Sequence, residues 1–137
     1  MNTDLRRSKR ESVYLPISVS AQDGISGSQL AGPFSGRIID ISLHGACLLM
    51  TQVMRGSYHV FHTTRENDSS LLLLHIDIPP EVVDLALPAR PVWLNIFRQD
   101  QIRAFKMGVE FLTSPDGEQM RRVQRVMRQY RRTPDIW

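Results

Sequence analysis

The sequence predicts an all-β fold closed by one C-terminal helix: a small antiparallel barrel of about six strands. Three observations point there. Short β-rich runs recur along residues 13–113 at hairpin spacing, separated by turns rich in Gly, Pro, Ser and Asp. Ala104 to Leu112 sets Phe105, Met107, Val109 and Phe111 at every second position, the period of a half-buried strand. Met120, Val123, Met127 and Tyr130 instead recur at steps of three and four, with Val126 at the border, which is one apolar helix face.

The elements follow in order. Residues 1–12 are mainly polar and read as a flexible segment ahead of a barrel, 13–113, and a helix, 114–132. Val13 to Val19 is β-rich, and Pro16 inside it implies an edge or a bend. Ala21 to Gly36 reads as a Gly/Ser/Gln loop. Arg37 to Ile41 is a strand, Ser42 to Gly45 its turn, and Ala46 to Met50 the returning strand. Gly45 is expected to supply a positive φ there. Tyr58 to Phe61 is a short strand and Arg65 to Ser70 a loop. Leu71 to Ile78 is a buried strand ended by Pro79-Pro80. Ala89 to Phe97 follows, with Val92, Leu94 and Ile96 on one face and Trp93, Asn95 and Phe97 on the other. Arg98 to Gln101 is the hairpin loop before the last strand. Ser114 is expected as helix N-cap with Pro115 at the first helical position, and Pro134 as the stop.

A chain of 137 residues suits one domain, and 42% hydrophobic residues suffice for a packed core. Cys47 is the lone cysteine, so no internal disulfide forms and a reducing, cytoplasmic setting is expected. The N-terminal Met-Asn-Thr-Asp lacks the apolar run of a signal peptide. The longest apolar stretch, Leu71 to Ile78, is broken by His75 and Asp77 and falls far short of a membrane span. Net charge is +3 and concentrated at the ends. Residues 1–10 carry four cations against one acid, and residues 115–132 carry six arginines against two acids. That pattern argues for local anion sites and against a duplex-binding stripe, so no DNA partner is expected.

Two patches carry chemistry. The first is Arg6-Arg7-Ser8-Lys9-Arg10, an R-x-x-x-R run; the second is Asp40-Ile-Ser42-Leu-His-Gly45, a D-x-S-x-x-G run. An arginine fork grips phosphate, hydrogen-bonds the O6/N7 edge of guanine, or stacks on a purine. Asp40 is suited to accept from N1–H and N2–H₂ of guanine, donors that adenine lacks at those positions. Ser42, two residues on, falls on the same face of an extended strand at roughly 6.5 Å, and Gly45 leaves the backbone open to a ligand. Asp40, Ser42 and His44 do not make a catalytic triad, because alternate strand residues stand too far apart for successive hydrogen bonds. His59 and His62 lack a third metal ligand at suitable spacing and read as a surface pair. Trp93 is either core or a base-stacking platform, and Cys47 a small buried hydrophobe. The arginine-rich helix is a polar face or a site for an acidic partner.

Arg6-x-x-x-Arg10 followed by Asp40-x-Ser42-x-x-Gly45 resembles the signature of the PilZ family, bacterial receptors for cyclic di-GMP. Pro16, the Asp40–Ala46 turn, Pro91-Val-Trp93 and Lys106-Met-Gly-Val-Glu-Phe111 extend the resemblance over roughly residues 5–130. The Ala21–Gly36 and Met54–Ser70 stretches depart from the family pattern. The resemblance implies a six-stranded barrel with a C-terminal helix, no cofactor, and cyclic di-GMP as ligand. It implies that Arg6 and Arg10, with Arg7 beside them, engage phosphate and guanine, that Asp40 and Ser42 bind a guanine edge, and that Gly45 keeps the turn open. Trp93 is a further candidate ligand contact. The expected protein is a receptor and not an enzyme: it changes shape on binding and signals to a downstream protein in motility or biofilm control. A nucleotide-independent adaptor of the same family and a small nucleic-acid-binding barrel are the alternatives.

Overall fold

A computed structural model describes residues 11–78, 82–99 and 101–130. The strands are β1 (Glu11–Asp23), β2 (Gln29–Ile41), β3 (Gly45–Met50), β4 (Met54–Arg55) and β5 (Tyr58–His59). A short helix α1 (His62–Glu66) follows, then β6 (Ser70–Ile78), β7 (Val82–Gln99), β8 (Ile102–Phe111) and the helix α2 (Glu118–Tyr130). Six strands close into an antiparallel barrel in the order β1-β2-β3-β8-β7-β6, while β4 and β5 form a separate ribbon. This is the fold class the sequence predicts.

Period-two alternation decides what fills the barrel. Leu15, Ile17 and Val19 of β1, Leu72, Leu74 and Ile76 of β6, and Leu48 of β3 point inward and are buried. Burying a leucine or valine of this kind stabilises by about 1.5–3 kcal/mol. Helix α2 lays Met120 and Val123 on the barrel, and Gln119 Nε2 donates to the Ala86 carbonyl at 3.1 Å. The helix starts later than Ser114 suggests. Ser114 instead closes a turn, accepting from Asp116 N at 3.3 Å and Gly117 N at 3.0 Å, and Gly117 O takes the first helical bond from Arg121 N. Pro134 lies outside the described residues.

Three stretches depart from expectation. Ala21 to Gly36 is no loop: β1 runs to Asp23 and β2 begins at Gln29, so only residues 24–28 turn. Asp23 Oδ1 accepts from Ile25 N at 2.9 Å, Gln22 Nε2 donates to Gly27 O at 2.7 Å, and Gly27 holds a φ of 78°. The glycine and serine content of β2 misleads because Gly36 serves packing: a Cβ there would press on Leu49 O and Met50 Cγ at 3.2 Å.

Strand β7 begins at Val82, ahead of Ala89. Its first half pairs with β6, up to Ala89 opposite Leu72, and its second half with β8. A bulge between Pro91 and Trp93 makes Val92 an extra residue that leaves its expected face, while Trp93 and Asn95 keep the face opposite Leu94 and Ile96 as expected. Val92 and Trp93 are both exposed, and Ile96 is 61% exposed. Beyond Phe105 β8 has no partner in β3, so the end of the β7–β8 hairpin is a ribbon of two strands.

The third departure is the crossover from β3 to β6, where Tyr58 to Phe61 gives only a two-residue strand before α1. Tyr58 Oη and Thr64 Oγ1 share a hydrogen bond of 2.9 Å, and Thr63 Oγ1 accepts from His59 N at 2.9 Å. Arg65 Nη1 donates to the carbonyls of Pro91 and Val92 at 2.8 and 3.3 Å, which pins α1 to the bulge of β7. His59 Nδ1 accepts from Phe61 N and His62 N at 3.1 and 3.2 Å, so the neutral ring with an unprotonated Nδ1 is the form that caps this segment. Burial, and then the adjacent His62, lower the His59 pKa below its usual 6.5. The unfolded chain therefore takes up this proton at higher pH than the folded one. The stabilising contribution is complete above about pH 6.5 and is lost as pH falls toward the lower folded-state value. Between about pH 7.5 and 5.5 the melting temperature of the wild type is expected to fall more than that of His59→Gln, as a pair of thermal melts would read.

Candidate functional site

The turn joining β2 to β3 is organised by one hydroxyl. Ser42 Oγ accepts from His44 N at 3.2 Å and Gly45 N at 3.3 Å, and donates to Gly45 O at 3.4 Å. Ser42 N donates to the same carbonyl at 2.8 Å. A short polar side chain offering local bonds of this kind replaces the ladder where the strands end. The hydroxyl that the sequence offers to a guanine edge thus builds the turn, and its partners there are backbone groups.

Gly45 has a different reason for being glycine from the one expected. The positive-φ glycines among the described residues are Gly27, Gly32 and Gly56. Gly45 is buried, and a Cβ on it would collide with the Val109 carbonyl oxygen of β8. Its absent side chain lets β3 meet β8 where the turn begins.

Asp40 is half-buried near the end of β2. Register places it in a row across the outer surface: Asp40 pairs with Cys47, Cys47 with Gly108, and Gly108 with Trp93. Their strand neighbours Ile41, Ala46, Leu48, Met107 and Val109 are the inward-facing ones. At about 4.8 Å per strand, Asp40 and Trp93 stand roughly 14 Å apart. Two small residues lie between them. Cys47 is buried, and Gly108 has no side chain, which leaves room for the Trp93 indole over the β8 backbone. Any Cβ on Gly108 would strike the indole Nε1 and Cε2. Trp93, at 40% exposure, is therefore an outer platform held by Gly108 and not a core residue. Gly108→Ala is expected to tilt the ring into water. In a Trp137→Phe background its emission would shift to the red, with a stability cost of about 1 kcal/mol.

A second row lies one pleat repeat along the strands. Arg37 pairs with Leu49, Leu49 with Lys106, and Lys106 with Asn95. Arg37 and Lys106 are exposed and Leu49 is half-buried. Arg37 escapes a reading by parity because it stands three residues from Asp40, which in a regular strand means opposite faces. The register shift between Ile38 and Asp40 inserts Ile39 as a bulge and turns both to the same side.

Arg6, Arg7 and Arg10 lie outside the described residues. What is described is where their segment is attached: Glu11 pairs with Ile41 and Ser12 with Asp40, so β1 begins beside the Asp40–Gly45 turn. His59 and His62 have ring centroids 4.5 Å apart, and no group of three His, Cys, Asp or Glu with metal-binding spacing occurs among the described residues. No helix among the described residues is long and apolar enough to cross a membrane.

The six strands close into an antiparallel barrel whose outer face carries Asp40, Arg37, Lys106 and Trp93. The chain belongs to the PilZ domain family, whose model matches residues 4–129. A solved PilZ domain with c-di-GMP of YcgR from Escherichia coli is similar at a TM-score of 0.61 and 16% identity, covering 93% of this chain and 92% of that one. The PlzA protein of Borreliella burgdorferi, solved in complex with c-di-GMP, is similar at a TM-score of 0.51 and 14% identity, covering 93% of this chain and 55% of that one. At these identities the likeness is one of fold. The search of curated proteins gives no match.

Proposed function

We propose that this chain is a receptor for cyclic di-GMP, without catalytic activity, that works in the cytoplasm and passes the signal to a partner protein. The observation that carries the reading is the attachment of β1. Arg10 is joined by one peptide bond to Glu11, which lies opposite Ile41, so the chain enters β1 beside the turn that carries the second half of the signature. Two solved relatives of the same fold contain this nucleotide, which supports the choice of ligand. In the proposed mechanism Arg6, Arg7 and Arg10 close over the dinucleotide, Asp40 accepts from a guanine edge, and Trp93 offers a stacking surface. Charge neutralisation and burial of the bases offset the entropy of ordering the segment. The reshaped face is then presented to a partner, with motility or biofilm control as the output that family membership suggests.

Calorimetric titration with cyclic di-GMP tests the reading, with GTP and cyclic di-AMP as controls. Binding is expected with cyclic di-GMP alone, and an absence of heat at protein concentrations of about tens of micromolar would overturn the proposal. One observation favours the nucleotide-independent adaptor as a second reading: the geometry of Ser42 and Gly45 is accounted for by the turn and by packing on Val109. The same titration separates the two.

A further inference from the structure

The row formed by Arg37, Leu49 and Lys106 belongs to neither half of the sequence signature, yet it adjoins the Asp40 row on the same outer face. Its shape differs from an ordinary solvated surface. Two exposed cations stand two strands apart, roughly 10 Å at the backbone, with the half-buried Leu49 between them. Next to that leucine lie the buried Cys47 and the Trp93 indole, which rests over Gly108. Base-reading groups and cations are thus separated by one pleat repeat. That separation suits a ligand whose bases and phosphates are themselves apart. The Asp40 carboxylate repels a phosphate placed in its own row, whereas Arg37 offers a planar fork and Lys106 a compact charge one row away. Neither cation is without a partner in the free protein, so a ligand replaces or shares an existing interaction.

We propose that Arg37 and Lys106 form an anion subsite that takes a phosphate of the bound dinucleotide across Leu49, and so orient the ligand along the Asp40–Trp93 row. The subsite rests on the receptor reading above and assigns that reading two residues outside its signature. The experiment is titration of the full chain with cyclic di-GMP, comparing wild type with Arg37→Glu, Lys106→Glu and the conservative Arg37→Lys and Lys106→Arg. Arg103→Glu serves as control, since Arg103 is an exposed cation of the β7–β8 ribbon beyond the end of β3. Each reversal at Arg37 or Lys106 is expected to weaken binding at least thirtyfold, the conservative changes less than fivefold, and Arg103→Glu less than twofold. Thermal melts confirm that each variant is folded; where a reversal is not, Arg37→Gln or Lys106→Gln replaces it, with at least a fivefold loss expected. Wild-type binding with unchanged affinity in these variants overturns the subsite alone. An equal loss in Arg103→Glu also overturns it, because the effect is then one of overall charge. Absence of wild-type binding overturns the receptor reading and the subsite with it.

Discussion

Gly45→Ala is expected to destabilise the barrel by about 3 kcal/mol and to lower its melting temperature by about 10 °C. The added Cβ would meet the Val109 carbonyl oxygen, which belongs to strand backbone and cannot rotate away. Relief would need β3 to draw back from β8 at Gly45–Glu110, the pair that ends their ladder. The same shift would strain the turn, because Gly45 N and O both bond to Ser42. A thermal melt reads the effect directly. Gly56→Ala is the comparison: Gly56 has a φ of 60° with nothing near its missing Cβ, so its cost is the backbone one alone, about 1 kcal/mol. Equal melting of Gly45→Ala and wild type would show that the turn tolerates a side chain and would return Gly45 to a role at the ligand.

Asp40→Ala is expected to weaken cyclic di-GMP binding at least tenfold with the melting temperature shifted by less than about 2 °C. A carboxylate accepting from two guanine donors makes charge-assisted bonds worth about 1.5–3 kcal/mol, and 1.4 kcal/mol is a factor of ten. Arg10→Ala is expected to act alike through loss of a phosphate or guanine contact. Paired titrations and melts decide between ligand and structure. A collapse of the fold in Asp40→Ala would make the carboxylate a structural group of the β2–β3 corner.

Much of this architecture is legible in the residues because the relevant physics is local. The alternation through Phe105, Met107, Val109 and Phe111 needs no knowledge of partners, and neither do Met120 and Val123 on one helix face. What escapes is set by contacts between distant residues. The bulges at Ile39 and Val92 invert parity without a marker in composition, so Arg37 joins the face of Asp40 and Trp93 the face opposite Pro91, which unbroken alternation through either strand does not give. Helix α1 spans five residues, too few to show a period, and its support comes from Tyr58 and from the carbonyls of β7. Gly45 and Gly108 are fixed by a carbonyl and an indole on neighbouring strands, so their glycine identity invites an explanation by turns when the cause is packing. At the candidate site the turn and Asp40 are legible, whereas the platform and the second cationic row emerge only from register.

The start of β1 opposite Ile41 has a kinetic and thermodynamic meaning. Because a single peptide bond joins Arg10 to that strand, arginines that close on a ligand at the turn, as proposed, would act as an intramolecular reactant. Tethers this short give effective concentrations of about millimolar order, independent of how much protein is present. In the proposed mechanism the closing step would respond to nucleotide concentration alone, and one protease cut between Arg10 and Glu11 would turn that first-order step into a bimolecular encounter.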